Sequence, residues 1–153
     1  MNNVPRPGSQ AKYAWSELER VDPPRRSASN RVSDFHQTAS PYDEATASEQ
    51  ASRCIQCPNP NCTTVCPVET PIAELLGLTA DRQFKEASEL LFQRNPLPEI
   101  ASHVCLGGRL CETACLLGSK TDPVPIRSIT KFLLDYGWKH GLANPPDAAA
   151  TGY

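Results

Sequence analysis

The stretch ASRCIQCPNPNCTTVCPVETPI, residues 51–72, decides the fold, because four cysteines follow one another there within a short loop. They are Cys54, Cys57, Cys62 and Cys66, in the spacing C-x2-C-x4-C-x3-C-P. A second group lies in NPLPEIASHVCLGGRLCETAC, residues 95–115, and comprises Cys105, Cys111 and Cys115. The prolines at positions 58 and 60 favour a stiff turn within the first group.

The spacing of the first group indicates iron–sulfur chemistry. A 4Fe–4S cube is held by four thiolates, and the bacterial ferredoxin pattern is C-x2-C-x2-C-x3-C-P. The present sequence keeps both outer spacings and the Cys-Pro ending, with two residues added in the middle. Seven thiolates are too many for one cube and one short of two. The sequence therefore predicts two 4Fe–4S clusters.

Two alternatives remain open at this point. A structural zinc site is one, since C-x2-C recurs in zinc ribbons, although one zinc ion would leave three cysteines without a role. A disulfide framework is the other, although the odd number of cysteines and a reducing compartment weigh against it. The competing function is thus a zinc-stabilised, non-redox interaction module.

Composition excludes several classes of protein. The net charge of −2 gives no field that favours nucleic acid or an anionic membrane. No apolar run approaches the ~18 residues of a membrane helix, and the N-terminus lacks the apolar core of a secretory signal. We therefore expect a cytoplasmic protein that binds no nucleic acid and does not insert into a membrane.

Apolar residues recur at helical spacing through the centre of the chain, and no stretch alternates as a strand would. Helices are predicted over 43–53, from Thr70-Pro71 to about Gly77, from a cap at Thr79 or Asp81 to Asn95, and from about Pro125 onward. The predicted fold is all-α, a small helical iron–sulfur domain with long loops that carry the cysteines.

Three regions are predicted along the chain. Residues 1–30 are rich in Pro, Ser, Asn and Arg and form an N-terminal arm, for which Trp15 and Leu18 are candidate anchors. Residues 31–140 form the two-cluster domain. Residues 141–153 form a flexible C-terminal tail.

The combined motifs resemble a known family. The segments RVSDF (31–35), 51–72, 95–115 and PVPIRSITKFL (123–133) are similar to the N-terminal iron–sulfur domain of the glutamate synthase small subunit and of dihydropyrimidine dehydrogenase. The resemblance covers about residues 31–138. It implies a small helical domain in which two 4Fe–4S clusters relay electrons.

The resemblance also implies a ligand set that crosses between the two groups. One cluster would be held by Cys54, Cys57, Cys62 and Cys115, and the other by Cys66, Cys105 and Cys111. The family's fourth ligand to the second cluster is Gln or Glu in an I-G-x-[IL]-[QE]-x-F segment, a position that Thr130 occupies here. The family usually also reads R-V-C-P where this chain has His103-Val104-Cys105-Leu106.

The glycines of this chain do not fit a G-x-G-x-x-G turn, so no FAD or NAD(P) is predicted to bind to it. We expect a non-catalytic electron-transfer subunit of a larger oxidoreductase. Its expected partners are a flavoprotein that oxidises NAD(P)H and a catalytic subunit, in a hetero-oligomer.

A few other residues near the cysteines have two interpretations each. His103 could tune a cluster, but a packed or solvent-facing side chain is the more common case. Glu112 and Asp122 are expected to be surface acids. Five basic residues could offset cluster charge or lie on the solvated surface: Arg53, Arg109, Lys120, Arg127 and Lys131.

Overall fold

The structure is a computed structural model that describes residues 14–95, 97–106 and 109–143. Within these ranges the regular structure is helical, apart from one isolated antiparallel bridge between Arg25 and Ala39. The helices are α1 Ala14–Glu17, α2 Ala28–Arg31, α3 Glu44–Ser52, α4 Asn61–Thr64, α5 Ile72–Ala80, α6 Phe84–Arg94, α7 Pro98–Val104 and α8 Ile126–Lys139, with a 3-10 helix at Leu116–Ser119. The predicted all-α fold is confirmed.

Two of the predicted helices begin where the sequence places them. Asp43 is the N-cap of α3, and its carboxylate accepts a 2.7 Å hydrogen bond from the backbone N–H of Thr46. Pro125 is the N-cap of α8, so that Ile126 is its first helical residue. The helix α7 was not predicted; it begins with Pro98 at its first turn, a position that tolerates proline.

The boundary between α5 and α6 differs from the prediction. Thr79 does not cap α6, because it lies inside α5, fully buried, where its hydroxyl donates to the carbonyl of Leu75 at 2.7 Å. Asp81 is the C-cap of α5, and the chain turns at Arg82, whose φ is 59°. The helix therefore continues past Gly77 to its end at Ala80.

The core forms where the helices pack on one another. The helix α5 contacts both α3 and α6, and α8 contacts α3, α6 and α7. Phe84 of α6 meets Phe132 of α8 edge to face, with ring centroids 5.2 Å apart. Gly137 allows close approach, because a Cβ there would lie 2.3 Å from a ring carbon of Phe92.

The described part of the N-terminal arm packs on α3. The side chain of Gln50, fully buried, donates to the carbonyl of Glu19 at 3.0 Å and accepts from the N–H of Val21 at 3.1 Å. The Tyr42 hydroxyl donates to the Val21 carbonyl. Of the predicted tail, residues 144–153 lie outside the described residues. None of the described helices has the length and apolar character needed to span a bilayer.

Candidate metal centre

The first cysteine loop leaves α3 directly and is tied to α5. Cys54 follows Arg53, the C-cap of α3. Gln56 adopts a left-handed φ of 51°, which turns the chain between the first two cysteines. The Thr63 hydroxyl in α4 accepts from the N–H of Ile72 at 3.2 Å, so the loop is anchored at the start of α5.

Two cysteines of the second group lie at helix ends. Cys105 is the C-cap of α7, and its N–H donates to the carbonyl of Ala101 at 2.9 Å. Cys115 is the N-cap of the 3-10 helix, and its N–H donates to the carbonyl of Glu112 at 3.2 Å. All seven cysteines are described, and they are free thiols.

The fold distributes the seven cysteines over two cavities. The first cavity is lined by the thiol-bearing residues Cys54, Cys57, Cys62 and Cys115. The second cavity, of about 400 Å³, is lined by Cys66, Cys105, Cys111 and Thr130. Each cavity thus receives residues from both sequence groups, and Ile126 lines both of them.

The chemistry of the residues around both cavities fits iron–sulfur clusters. The first cavity combines four thiols with apolar walls that include the buried side chains of Leu76, Leu117 and Val124. Apart from Asn61, the lining residues without a thiol are apolar, so the thiols are the donors that suit an iron–sulfur cluster there. Within the described ranges, no three His, Cys, Asp or Glu side chains converge closely enough to hold one metal ion.

Burial disfavours the charged thiolate form of four of the seven cysteines. It raises the pKa of Cys54 and of Cys111 to about 12 each, and it raises the pKa of Cys57 and Cys62 as well. Iron binds the thiolate, so loading of either cavity must release protons from these groups.

Arg53, which directly precedes the first-cavity residue Cys54, is fully buried. Its guanidinium donates to three backbone carbonyls: Leu18 at 3.0 Å, Asp122 at 2.8 Å and Pro123 at 3.3 Å. Burial lowers the pKa of this guanidinium, but arginine stays protonated in proteins. The interpretation of Arg53 as a solvated surface residue is therefore wrong.

Glu112, beside Cys111, is also buried, which corrects its interpretation as a surface acid. Its Oε2 accepts from Arg20 Nη1 at 2.9 Å, and its Oε1 accepts from the N–H of Arg127 at 3.0 Å. Arg20 was missed at the sequence level, because a basic residue in a polar segment looks like a solvated one. Asp122 has an exposed side chain, as expected.

Thr130 and His103 have different surroundings. Thr130 lines the second cavity from α8, and its hydroxyl donates to the carbonyl of Ile126 at 2.9 Å, which leaves lone pairs of the oxygen available. His103 is exposed and lines a separate polar cavity together with Arg127. The guanidinium of Arg127 donates to the carbonyls of Ser102 and His103, so it holds the end of α7 next to Cys105.

Comparison with known proteins identifies the family of this chain. The family described as dihydropyrimidine dehydrogenase domain II, 4Fe–4S cluster, matches residues 31–142, which is well over half of the chain and includes all seven cysteines. The chain belongs to this family. It is therefore an iron–sulfur domain, and this membership supports a role in electron transfer.

Relatives with known names are similar over most of this chain. The small chain of NADPH glutamate synthase from Escherichia coli K12 is 38% identical over 133 residues, which cover 87% of this chain and 28% of that protein. The corresponding small chain from Azospirillum brasilense is 36% identical over 80% of this chain and 26% of its own length. NADH glutamate synthase from Saccharomyces cerevisiae is 34% identical over 84% of this chain and 6% of its own length. The chain thus spans under a third of the relatives that it matches.

Proposed function

We propose that this chain carries two 4Fe–4S clusters and relays electrons between a flavoprotein that oxidises NAD(P)H and a catalytic subunit of an oxidoreductase. The observation that carries the proposal is the division of seven cysteines over two neighbouring cavities. Clusters of this kind supply one-electron transfer without forming bonds to a substrate.

The proposed ligands follow the two cavities. Cys54, Cys57, Cys62 and Cys115 hold the first cluster. The second is held by Cys66, Cys105 and Cys111, with the Thr130 oxygen at its fourth corner. The lining residues of each cavity support this assignment. Ile126 lines both cavities, so the two lie next to each other.

The remaining parts of the proposal concern the rest of the chain and its partners. Residues 31–140 form the cluster-binding unit, with residues 1–30 as an arm that packs on it and 141–153 as a tail. The glutamate synthase names of the relatives support flavoprotein and catalytic partners in a cytoplasmic hetero-oligomer. The chain itself binds no FAD or NAD(P).

Metal content and colour test the proposal directly. Anaerobic reconstitution of the full chain should give ~8 Fe and ~8 acid-labile sulfides per chain, with a brown colour that bleaches with dithionite. Saturation near ~4 Fe would contradict the two-cluster proposal. A colourless protein that retains zinc would support the interaction module instead.

The proposed fourth ligand, Thr130, has its own test. Thr130→Cys should complete the thiolate set of the second cluster, whereas Thr130→Val should open one corner and promote a three-iron form on oxidation. EPR spectra and midpoint potentials of both variants are the measurement. Spectra and potentials that match wild type in both variants would remove Thr130 from the ligand set.

Reduction by NADPH, with and without a flavoprotein, tests whether the chain needs a partner to receive electrons. The purified chain should not be reduced by NADPH alone, because the proposal assigns nucleotide oxidation to a flavoprotein. Addition of a flavoprotein reductase that oxidises NADPH should allow reduction, followed as bleaching of the cluster absorbance. Bleaching by NADPH without the reductase would contradict this division of roles.

A further inference from the structure

Arg53 combines complete burial with the absence of an acidic partner among the described residues. No ion pair within the described ranges includes Arg53. Its guanidinium donates instead to three neutral backbone carbonyls. The other buried charge near a cysteine, Glu112, is paired with Arg20 instead. A buried guanidinium is normally compensated by an anion, because removal of a charge from water is costly.

Arg53 is connected at both ends to residues that line the first cavity. It directly precedes Cys54 in the chain, and its guanidinium binds the carbonyls of Asp122 and Pro123, next to Val124, which also lines that cavity. Its charge is also within electrostatic reach of Cys115. The first cavity therefore has a buried positive charge next to two of the residues that line it, Cys54 and Val124.

Two other charged groups, Asp122 and Arg20, also act on Arg53 and have opposite effects on its charge. Asp122, with an exposed side chain, favours the charged guanidinium, and the positive charge of Arg20 opposes it. Neither interaction is an ion pair with Arg53. An anionic group inside the first cavity would be the compensating charge that the protein does not supply.

We propose that Arg53 is the counter-charge of the first cluster and raises its reduction potential. This inference rests on the proposed two-cluster function. When a donor gives one electron to this site, the donor is oxidised by one electron and the site gains one negative charge. The adjacent guanidinium stabilises that added charge, since the two lie in a medium of low dielectric constant. Arg53 keeps its proton throughout.

Three variants of the full chain, reconstituted anaerobically and titrated with dithionite under EPR, test the proposal. Arg53→Gln removes the charge but keeps hydrogen-bond donors, and Arg53→Lys keeps the charge but offers fewer donors. Lys120→Gln is the matched control, because Lys120 is exposed and follows the first cavity's Cys115 by five positions.

We expect Arg53→Gln to lower the ratio of reduced to oxidised first cluster by about tenfold at a fixed applied potential, which is about 59 mV for one electron. The second cluster should stay within about twofold of wild type. Arg53→Lys should retain the wild-type potential even though it unfolds at a lower temperature. Lys120→Gln should shift the ratio by less than about twofold, and high salt should reduce that shift further.

Several results would overturn the proposal. One is Arg53→Gln with full iron content and an unchanged first-cluster potential. Another is an equal shift in Arg53→Gln and Arg53→Lys, which would show a structural role for the three hydrogen bonds alone. If Arg53→Gln does not fold, the neutral Arg53→Met takes its place: a tenfold fall in the reduced-to-oxidised ratio supports the proposal, and an unchanged potential contradicts it.

Failure of the proposed function would look different. Iron content near ~4 per chain, or a single EPR species, would contradict the two-cluster relay. The effect of Arg53 on a cluster held by Cys54 could still be measured in that case.

Discussion

The two cysteine cavities share one fold but differ in the charges that the protein buries beside them. The first cavity is lined by four thiols. Arg53, next to Cys54, donates hydrogen bonds to three neutral backbone carbonyls. The second cavity offers three thiols and Thr130, and it has the ion pair of Glu112 and Arg20 nearby. The first site therefore has a cation without an ion pair beside it, whereas the Arg20 near the second is paired with both Glu112 and Asp22.

This difference in buried charge could give two clusters with cysteine ligands different reduction potentials. Net charge, hydrogen bonds and exposure set the potential of an iron–sulfur cluster as much as the ligands do. In the proposed arrangement, the ligand sets alone would give the first cluster the lower potential, because it would carry one more thiolate. Arg53 reduces this difference, so its loss should widen the gap between the two clusters.

The largest expected effect is loss of one whole cluster. Cys115→Ala should abolish the first cluster and leave the second, so iron falls from ~8 to ~4 per chain. Cys111→Ala is the matched variant, because it lies four positions away and should affect the second cluster instead. EPR of the two reduced variants distinguishes them. Loss of the second cluster in Cys115→Ala would show that the ligand assignment is wrong.

A smaller effect is expected in resistance to oxidation. The second cavity has one thiolate fewer, and its lining residues Val104 and Leu106 are 69% and 65% exposed. On exposure to air we expect the second cluster to lose iron several times faster than the first. The two EPR signals, followed over time after re-reduction, provide the measurement. Equal decay rates would argue against a difference in ligation and exposure.

The ion pair beside the second cavity should affect both stability and potential. Glu112→Gln removes the more buried of the two carboxylates that pair with Arg20, leaving the 2.9 Å ion pair with Asp22, at a cost of about 1–3 kcal/mol in the free energy of unfolding. It should also raise the potential of the second cluster. The double variant Arg20→Met/Glu112→Gln should recover part of the loss, as measured by urea unfolding in a double-mutant cycle. Strictly additive losses would contradict a direct interaction between the two side chains.

The smallest effect belongs to an ion pair outside both cavities. Arg26 donates to both carboxylate oxygens of Asp34, at 2.8 and 2.5 Å, and the N–H of His36 adds a third bond. These bonds lower the pKa of Asp34 to about 2. A lowered pKa stabilises the fold above the unfolded value of ~3.9, and this contribution is lost as the pH falls toward 2.

Asp34→Asn should therefore lower the unfolding temperature by a small amount that stays constant between pH 8 and pH 5. Neither EPR signal should change, which makes this variant a control for the cavity variants. Thermal unfolding of the loaded protein under anaerobic conditions provides the measurement. A difference that shrinks between pH 8 and pH 6 would mean that another group is responsible.

Local sequence signals determined the helical class, the iron–sulfur chemistry and several helix starts. Asp43 caps α3 because a carboxylate next to a run of helix formers satisfies a free N–H, whatever the rest of the chain does. The cysteine spacings act in the same way, since a short loop brings its own thiols together. The division of the ligands between two clusters came from the family resemblance, and the cavity linings agree with that division.

Only the tertiary structure decided which polar residues are buried and what they contact. Thr79 looked like a helix cap, but the packing of α5 between α3 and α6 buries it inside a longer helix. Arg53 and Glu112 looked like ordinary charged residues, and their partners lie far away in sequence, at Asp122 and Pro123 for Arg53 and at Arg20 for Glu112. Burial of a charge depends on segments that the fold brings together, and local spacing contains no information about them.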